Sequence, residues 1–165
     1  MIPLSPFLFF MKKIPLSKGQ SALVDDDVVD HLNQWKWQVS HYGYAVRNDS
    51  SLPRNSRIVY MHRSIMNAER EQEVDHVNHN RLDNRKVNLR LCSHAENQRN
   101  LKRQSNNTSG YKGVSLQYPG LWHAYINWKG RRQSLGYYRD REAAAIAYNV
   151  AAQVLHGSFA CLNPV

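Results

Sequence analysis

The sequence predicts an α+β chain built from two small halves, and three observations carry that expectation. From residue 14 to residue 61 short apolar runs alternate with turn residues, with no sustained helical period. Residues 74–100, VDHVNHNRLDNRKVNLRLCSHAENQRN, are dense in Asp, Asn, His and Arg and hold too few apolar anchors to form a core alone. Beyond residue 109 three strand-like runs precede one alanine-rich helical run.

Taken in order, the first ten residues, MIPLSPFLFF, are apolar, but two prolines interrupt them. They fall far short of the ~20 residues that cross a bilayer. No basic stretch precedes them, as a signal peptide requires, and Met11 is an equally good start. Residues 1–13 are therefore read as an extension outside the folded body. Residues 14–16 and 22–24 are short strands. Asp25, Asp26 and Asp27 stand where carboxylates cap a helix over 28–34. Residues 35–39 and 42–46 read as strands across a polar turn, 48–56 as loop, and 58–61 as a β-branched strand leading to a helical turn at 62–66. Two brief strands near 73–76 and 89–92 flank an Asn-rich loop, and Ser93 with Glu96 offers a capping box to a helix from His94.

The pattern changes after a polar, basic joint. The first half spans 14–100, the basic linker 101–109 and the second half 110–165. In the second half, strands at 113–116, 122–128 and 132–137 are separated by Pro119-Gly120 and Lys129-Gly130 turns. Asp140 caps a helix over 141–155, with Ala143, Ala144, Ala147, Tyr148, Ala151 and Leu155 on one face, so that small side chains seat it closely on a three-stranded antiparallel sheet. Alternation puts Trp122, Ala124, Ile126 and Trp128 on the core side and turns His123, Tyr125 and Asn127 outward.

Composition narrows the partner. With 22 Lys and Arg against 13 Asp and Glu, the 165-residue chain carries +9 at neutral pH and favours a polyanion. Cys92 and Cys161 stand alone without a C-x-x-C pair, which excludes a disulfide framework and a four-thiolate zinc site.

The polar segment places a carboxylate and an imidazole side by side at Asp75-His76, an amide twelve positions on at Asn88 and another nine further at Asn97. Phosphodiester hydrolysis needs an activated water and a cation on the departing oxygen. Asp75 and the Asn97 amide oxygen are hard ligands suited to Mg²⁺ or Mn²⁺. His76, titrating near neutrality, can take the proton from water. Asn88 either fixes the imidazole or ties the loop ends. On a strand Asp75 and His76 point to opposite faces, so a twisted end or bulge must bring them around one bond. An EF-hand fails, since Val77 occupies an oxygen-ligand position and no glycine follows. A zinc site from His76, His79 and His94 has the right atoms but draws His79 from a solvated loop.

Together, Asp75-His76, DNR, NLR and Asn97 resemble an HNH homing endonuclease of the phage and intron type, in which asparagine replaces the last histidine. The resemblance implies two strands and a helix around one divalent metal, the ββα-metal site. It assigns Asp75 as the metal-binding acid, His76 as general base, Asn88 as the supporting asparagine and Asn97 as second metal ligand. Met61-His62-Arg63 matches a patch that often precedes the motif, with His62 structural or DNA-contacting. A monomer or transient dimer in the cytoplasm of a prokaryote or a phage-infected host is the implied setting.

Residues 102–165, the second half with most of the linker, carry eight Lys and Arg against Asp140 and Glu142, interleaved with aromatics. YKGVS, WHAYI, LGYY, EAAAIAYNVAA and HGSFACLN resemble the plant ethylene-response-factor, or APETALA-type, DNA-binding domain. That likeness implies a sheet laid in the major groove of double-stranded DNA. Arg63, Arg85, Arg99, Lys102, Arg103, Lys112, Ser115, Gln117, Tyr125, Asn127, Arg131 and Arg132 are the candidate DNA contacts. Several arginine readers of the plant proteins are replaced by Ser115, Gln117, His123 and Tyr125, so no target sequence carries over. A DNA-binding regulator with an inactive nuclease half is the main rival, and an RNA-binding protein a second.

Overall fold

The β-branched and aromatic runs of the first half are short, so they form two hairpins and a small three-stranded sheet instead of one broad sheet. A computed structural model describes residues 11–103 and 105–165, in two compact units, Met1–Ser93 and His94–Val165. Of the expected extension, residues 1–10 lie outside the described residues. Met11–Lys13 do not extend away. They belong to β1 (Met11–Pro15), which pairs antiparallel with β2 (Ser21–Asp25).

Ile14, Ala22 and Val24 from this hairpin meet Leu32, Trp37, Ala45 and Met61 in the core of the first unit. Helix α1 is only Val29–Leu32, after a 3-10 turn at Asp26–Val28. The expected aspartate caps are absent: Asp25 Oδ2 accepts from the Lys86 amide at 2.6 Å, and Asp27 pairs with the Lys86 ammonium. Strand β3 (Gln38–Val39) is shorter than the aromatic run suggests, because Trp37 leaves the ladder and its indole donates to the Leu32 carbonyl at 2.8 Å. β3, β4 (Ala45–Asn48) and β5 (Ile58–Tyr60) form a three-stranded antiparallel sheet that runs into α2 (Met61–Ile65). β6 (Glu73–His76) and β7 (Leu89–Cys92) make a separate hairpin, within the expected bounds.

The second unit opens with α3 (His94–Asn100), ahead of the joint at 101–109. Strands β8 (Val114–Tyr118), β9 (Leu121–Trp128) and β10 (Arg131–Tyr138) form an antiparallel sheet in the order β10-β9-β8. Against it packs α4 (Arg141–His156), whose first turn is capped by the Asp140 carboxylate accepting from Ala143 N at 2.9 Å. The buried stripe of α4 is Ala144, Ala145, Tyr148, Ala152 and His156, rotated from the predicted one so that Ala143, Ala147 and Ala151 sit at its flank. Two bulges interrupt the sheet, at Gln117 in β8 and at Leu135 in β10. The tail is pinned where Asn163 exchanges hydrogen bonds with Lys112 and with Asn149. Among the described residues no helix is long and apolar enough to cross a membrane.

Gly113 sets the seat of α4. Its φ is +71°, and a Cβ there would lie 2.0 Å from the Tyr148 ring and 2.5 Å from the Tyr125 carbonyl oxygen. Gly113→Ala should therefore destabilise the second unit by about 3 kcal/mol, through left-handed strain and overpacking together. Urea unfolding should show this in Trp122 and Trp128 fluorescence while the transition followed through Trp35 and Trp37 stays put.

Candidate active site and nucleic-acid interface

The Asn-rich loop between β6 and β7 has almost no apolar content, and its side chains fold it by replacing backbone partners. Asn88 holds the two ends together. Its Oδ1 accepts from Asn78 N at 3.0 Å, its Nδ2 donates to the Asp83 carbonyl at 2.7 Å, and its own carbonyl accepts from Val77 N at 2.9 Å. Asn88 thus ties the loop. Asp83 is the loop's inner anchor, 2% exposed, accepting from the Arg85 guanidinium at 2.6 and 2.7 Å and from Asn78 Nδ2 at 2.8 Å. Arg85 and Asn78 hold its carboxyl below the usual carboxylate range. Asn78 and Asn80 fold the intervening turn onto themselves.

This clamp buries two consecutive polar residues, Asp75 at 6% and His76 at 5% exposure. As alternation along a strand requires, they meet different neighbours. Asp75 lies opposite Arg90 in the β6–β7 register, and Oδ2 accepts from Arg90 Nε at 2.8 Å and Nη2 at 2.5 Å. His76 ends the strand. Its Nε2 is 3.3 Å from Asn84 Oδ1, and its ring lies edge-on to His62 at 5.0 Å with Tyr44 at 5.9 Å. Burial pushes the His76 imidazole below the ordinary histidine value, against the opposing pull of Asn84 and the Asp75 and Asp83 carboxylates. His62 is buried beneath it, with Nδ1 unpartnered, and desolvation beside His76 and Arg63 lowers its value to about 3.

The other predicted residues divide by what their side chains touch. Arg63 donates to the carbonyls of Gln72 and Glu69, both at 2.6 Å, and so braces the 66–72 turn. Arg85 is held by Asp83. In the second unit the Lys112 ammonium donates to the carbonyls of Arg99 and Leu101, both at 2.6 Å, closing the C-terminal end of α3. Ser115, Tyr125, Asn127 and Arg132 share the sheet face away from α4; Arg131, opposite Trp128, alternates to the other side, and Gln117 occupies a bulge. Asn97 lies in α3, so the predicted metal pair is divided between the two units.

Arg99, Lys102, Arg103, Lys112, Ser115, Tyr125, Asn127 and Arg132 also line one cavity of about 710 Å³, together with Lys129. No carboxylate lines it among the described residues, so its potential is strongly positive. Arg132 lies over the Tyr125 ring at 4.1 Å and Arg99 over Trp128 at 4.8 Å. His123 and Tyr137, opposite each other on β9 and β10, stack at 4.7 Å and 20°. That separation matches the roughly 4.8 Å between strands.

Comparison with known proteins bears on the same segment. The family model described as HNH endonuclease matches residues 59–99, a span that includes α2, the β6–β7 hairpin and Asn97. The chain is 30% identical over 148 residues to the uncharacterized HNH endonuclease L560 of Acanthamoeba polyphaga mimivirus, covering 90% of this chain and 77% of that protein. The chain belongs to the HNH endonuclease family. Protein 3.8 of Escherichia phage T7 is 34% identical over 91 residues, 53% of this chain and 72% of that one. No solved structure matches the chain.

Within this HNH unit, sequence reasoning missed Asn84, Tyr44 and Arg90. The strand bounds contained the signal for Arg90, since a hairpin pairing 73 with 92 sets residue 90 across from residue 75. Tyr44 carried none, because it reaches His76 only through tertiary packing.

The buried His62 couples stability to acid. Its folded value of about 3 lies below the ordinary 6.5, so the unfolded chain takes up the proton first. Stability contributed by its neutral form is complete above pH 6.5 and declines as the pH falls toward 3, by roughly 1.4 kcal/mol per unit. His62→Phe should flatten this acid limb, as measured by urea unfolding across a pH series.

Proposed function

We propose that this HNH protein is a site-specific DNA endonuclease of the homing type, hydrolysing phosphodiester bonds with one divalent metal. The observation that carries this reading is His76: a buried, hydrogen-bonded imidazole on the strand that also bears Asp75, inside the matched HNH span. In this reading His76 accepts a proton from water, the resulting oxygen nucleophile attacks phosphorus, and the P–O3′ bond breaks, its oxygen taking a proton from solvent.

Mg²⁺, with Mn²⁺ able to replace it, suits hard oxygens of the kind Asp75 and Asn97 offer, while the Arg90 guanidinium on Asp75 Oδ2 competes with a cation for that carboxylate. Among the described residues no three His, Cys, Asp or Glu side chains gather as a metal cage. When bound, the ion supplies charge neutralisation at the phosphate and leaving oxygen.

The second unit is proposed to hold double-stranded DNA as an ethylene-response-factor-like module. Its three-stranded sheet on one helix, cation-lined cavity and outward Ser115, Tyr125, Asn127 and Arg132 support that role. One observation favours the regulator reading: Arg90 already satisfies Asp75.

Supercoiled plasmid with Mg²⁺ separates the two. The wild type should yield relaxed or linear product, His76→Ala should lose about 10³-fold in rate, and Asp75→Ala should abolish cleavage while sparing DNA binding. Absence of any product from the wild type would favour the regulator. Salt titration of duplex binding tests the second unit. Arg132→Ala should lower the log–log slope by about 1, whereas Lys112→Ala, its ammonium already committed to two carbonyls, should leave the slope unchanged.

A further inference from the structure

We propose that Asn84 is the positioning residue that sets the tautomer of His76, with the proton on Nε2 and the lone pair on Nδ1. The inference rests on the reading of His76 as general base and adds the group that makes it competent. Nothing in the motif assigns this task to Asn84; the middle asparagine, Asn88, is occupied at both ends of its amide with the loop backbone.

Three observations carry it. Asn84 is fully buried, and its side-chain oxygen meets the imidazole at 3.3 Å. Its backbone is fixed from both sides, because Asn84 N donates to the Leu23 carbonyl and Leu23 N donates to the Leu82 carbonyl, each at 2.8 Å, which makes a parallel bridge between β2 and this loop. The oxygen is thus presented by a clamped strand-like segment. Finally, Asn84 Nδ2 is buried without a partner. An unpaired buried donor is costly, so fold stability alone does not account for an asparagine here, whereas an acceptor aimed at His76 does. A carbonyl oxygen can only accept, so its partner nitrogen must carry the hydrogen, and in a neutral ring the other nitrogen is left basic. His62 and Tyr44 pack around the same ring and keep it from swinging away.

The test reads the ring directly. Full-length protein labelled with ¹⁵N at histidine, in mildly alkaline buffer, should show His76 Nε2 as the protonated nitrogen and Nδ1 as the unprotonated one. The reverse tautomer in the wild type would overturn the proposal without any mutant. In Asn84→Leu, which keeps the shape and removes the acceptor, the His76 signals should move toward a tautomer mixture. Plasmid nicking should fall about 10- to 100-fold in kcat, with KM for DNA unchanged. An unmoved tautomer, or a loss confined to KM, refutes a positioning role. Retained nicking by His76→Ala would instead defeat the general-base reading, while the wild-type spectrum would still report on Asn84.

Discussion

The first unit depends on the closure of a loop that has no hydrophobic means of closing itself. Asn88 bonds to both ends of the segment between β6 and β7, and Asp83 draws Asn78 and Arg85 inward. Each bond replaces one that water would otherwise make, so each adds only about 0.5–1.5 kcal/mol. Their joint effect is geometric. They let an aspartate and a histidine at adjacent positions be buried on two sides of one thin hairpin, each with a polar partner waiting. Were the loop held by apolar contacts, the lining around His76 would be drier but would offer no acceptor to fix its proton.

Charge is divided between two tasks, and the sequence does not reveal the division. Arg63, Arg85, Arg90 and Lys112 satisfy carbonyls or carboxylates within their own unit. Lys102, Arg103, Lys129 and Arg132 line a cavity without acids. A formal charge of +9 therefore overstates what a polyanion meets. The excess sits where the second unit gathers it.

Much of the fold was legible because it follows from local periodicity. The β6–β7 hairpin, the three-stranded sheet, the Asp140 cap and the inward Ala124 and Ile126 are all matters of spacing two or 3.6 residues apart. The misreadings arose where a tertiary bond outcompeted a local one. Asp25 and Asp27 look like helix caps, but Lys86, some sixty residues on, takes their oxygens. Trp37 looks like a strand residue, but its indole has a better partner in Leu32. In the site, residue types at motif spacing were visible, whereas Asn84 and Tyr44 become visible only once β2 and β4 are folded against the loop. Composition points to nucleic acid; it does not say which arginines are free to touch it.

The Leu135 bulge has a consequence for how this protein can change over time. The extra residue lets a leucine reach the interior while Ser134 and Tyr137 on either side still face outward in step with Tyr125 and His123. Core and outer surface of the sheet are thereby written in separate sets of positions. Outward residues can be exchanged at a typical surface cost of about ±0.5 kcal/mol, leaving the inner set untouched. The outer surface can therefore drift one side chain at a time without risking the scaffold beneath it.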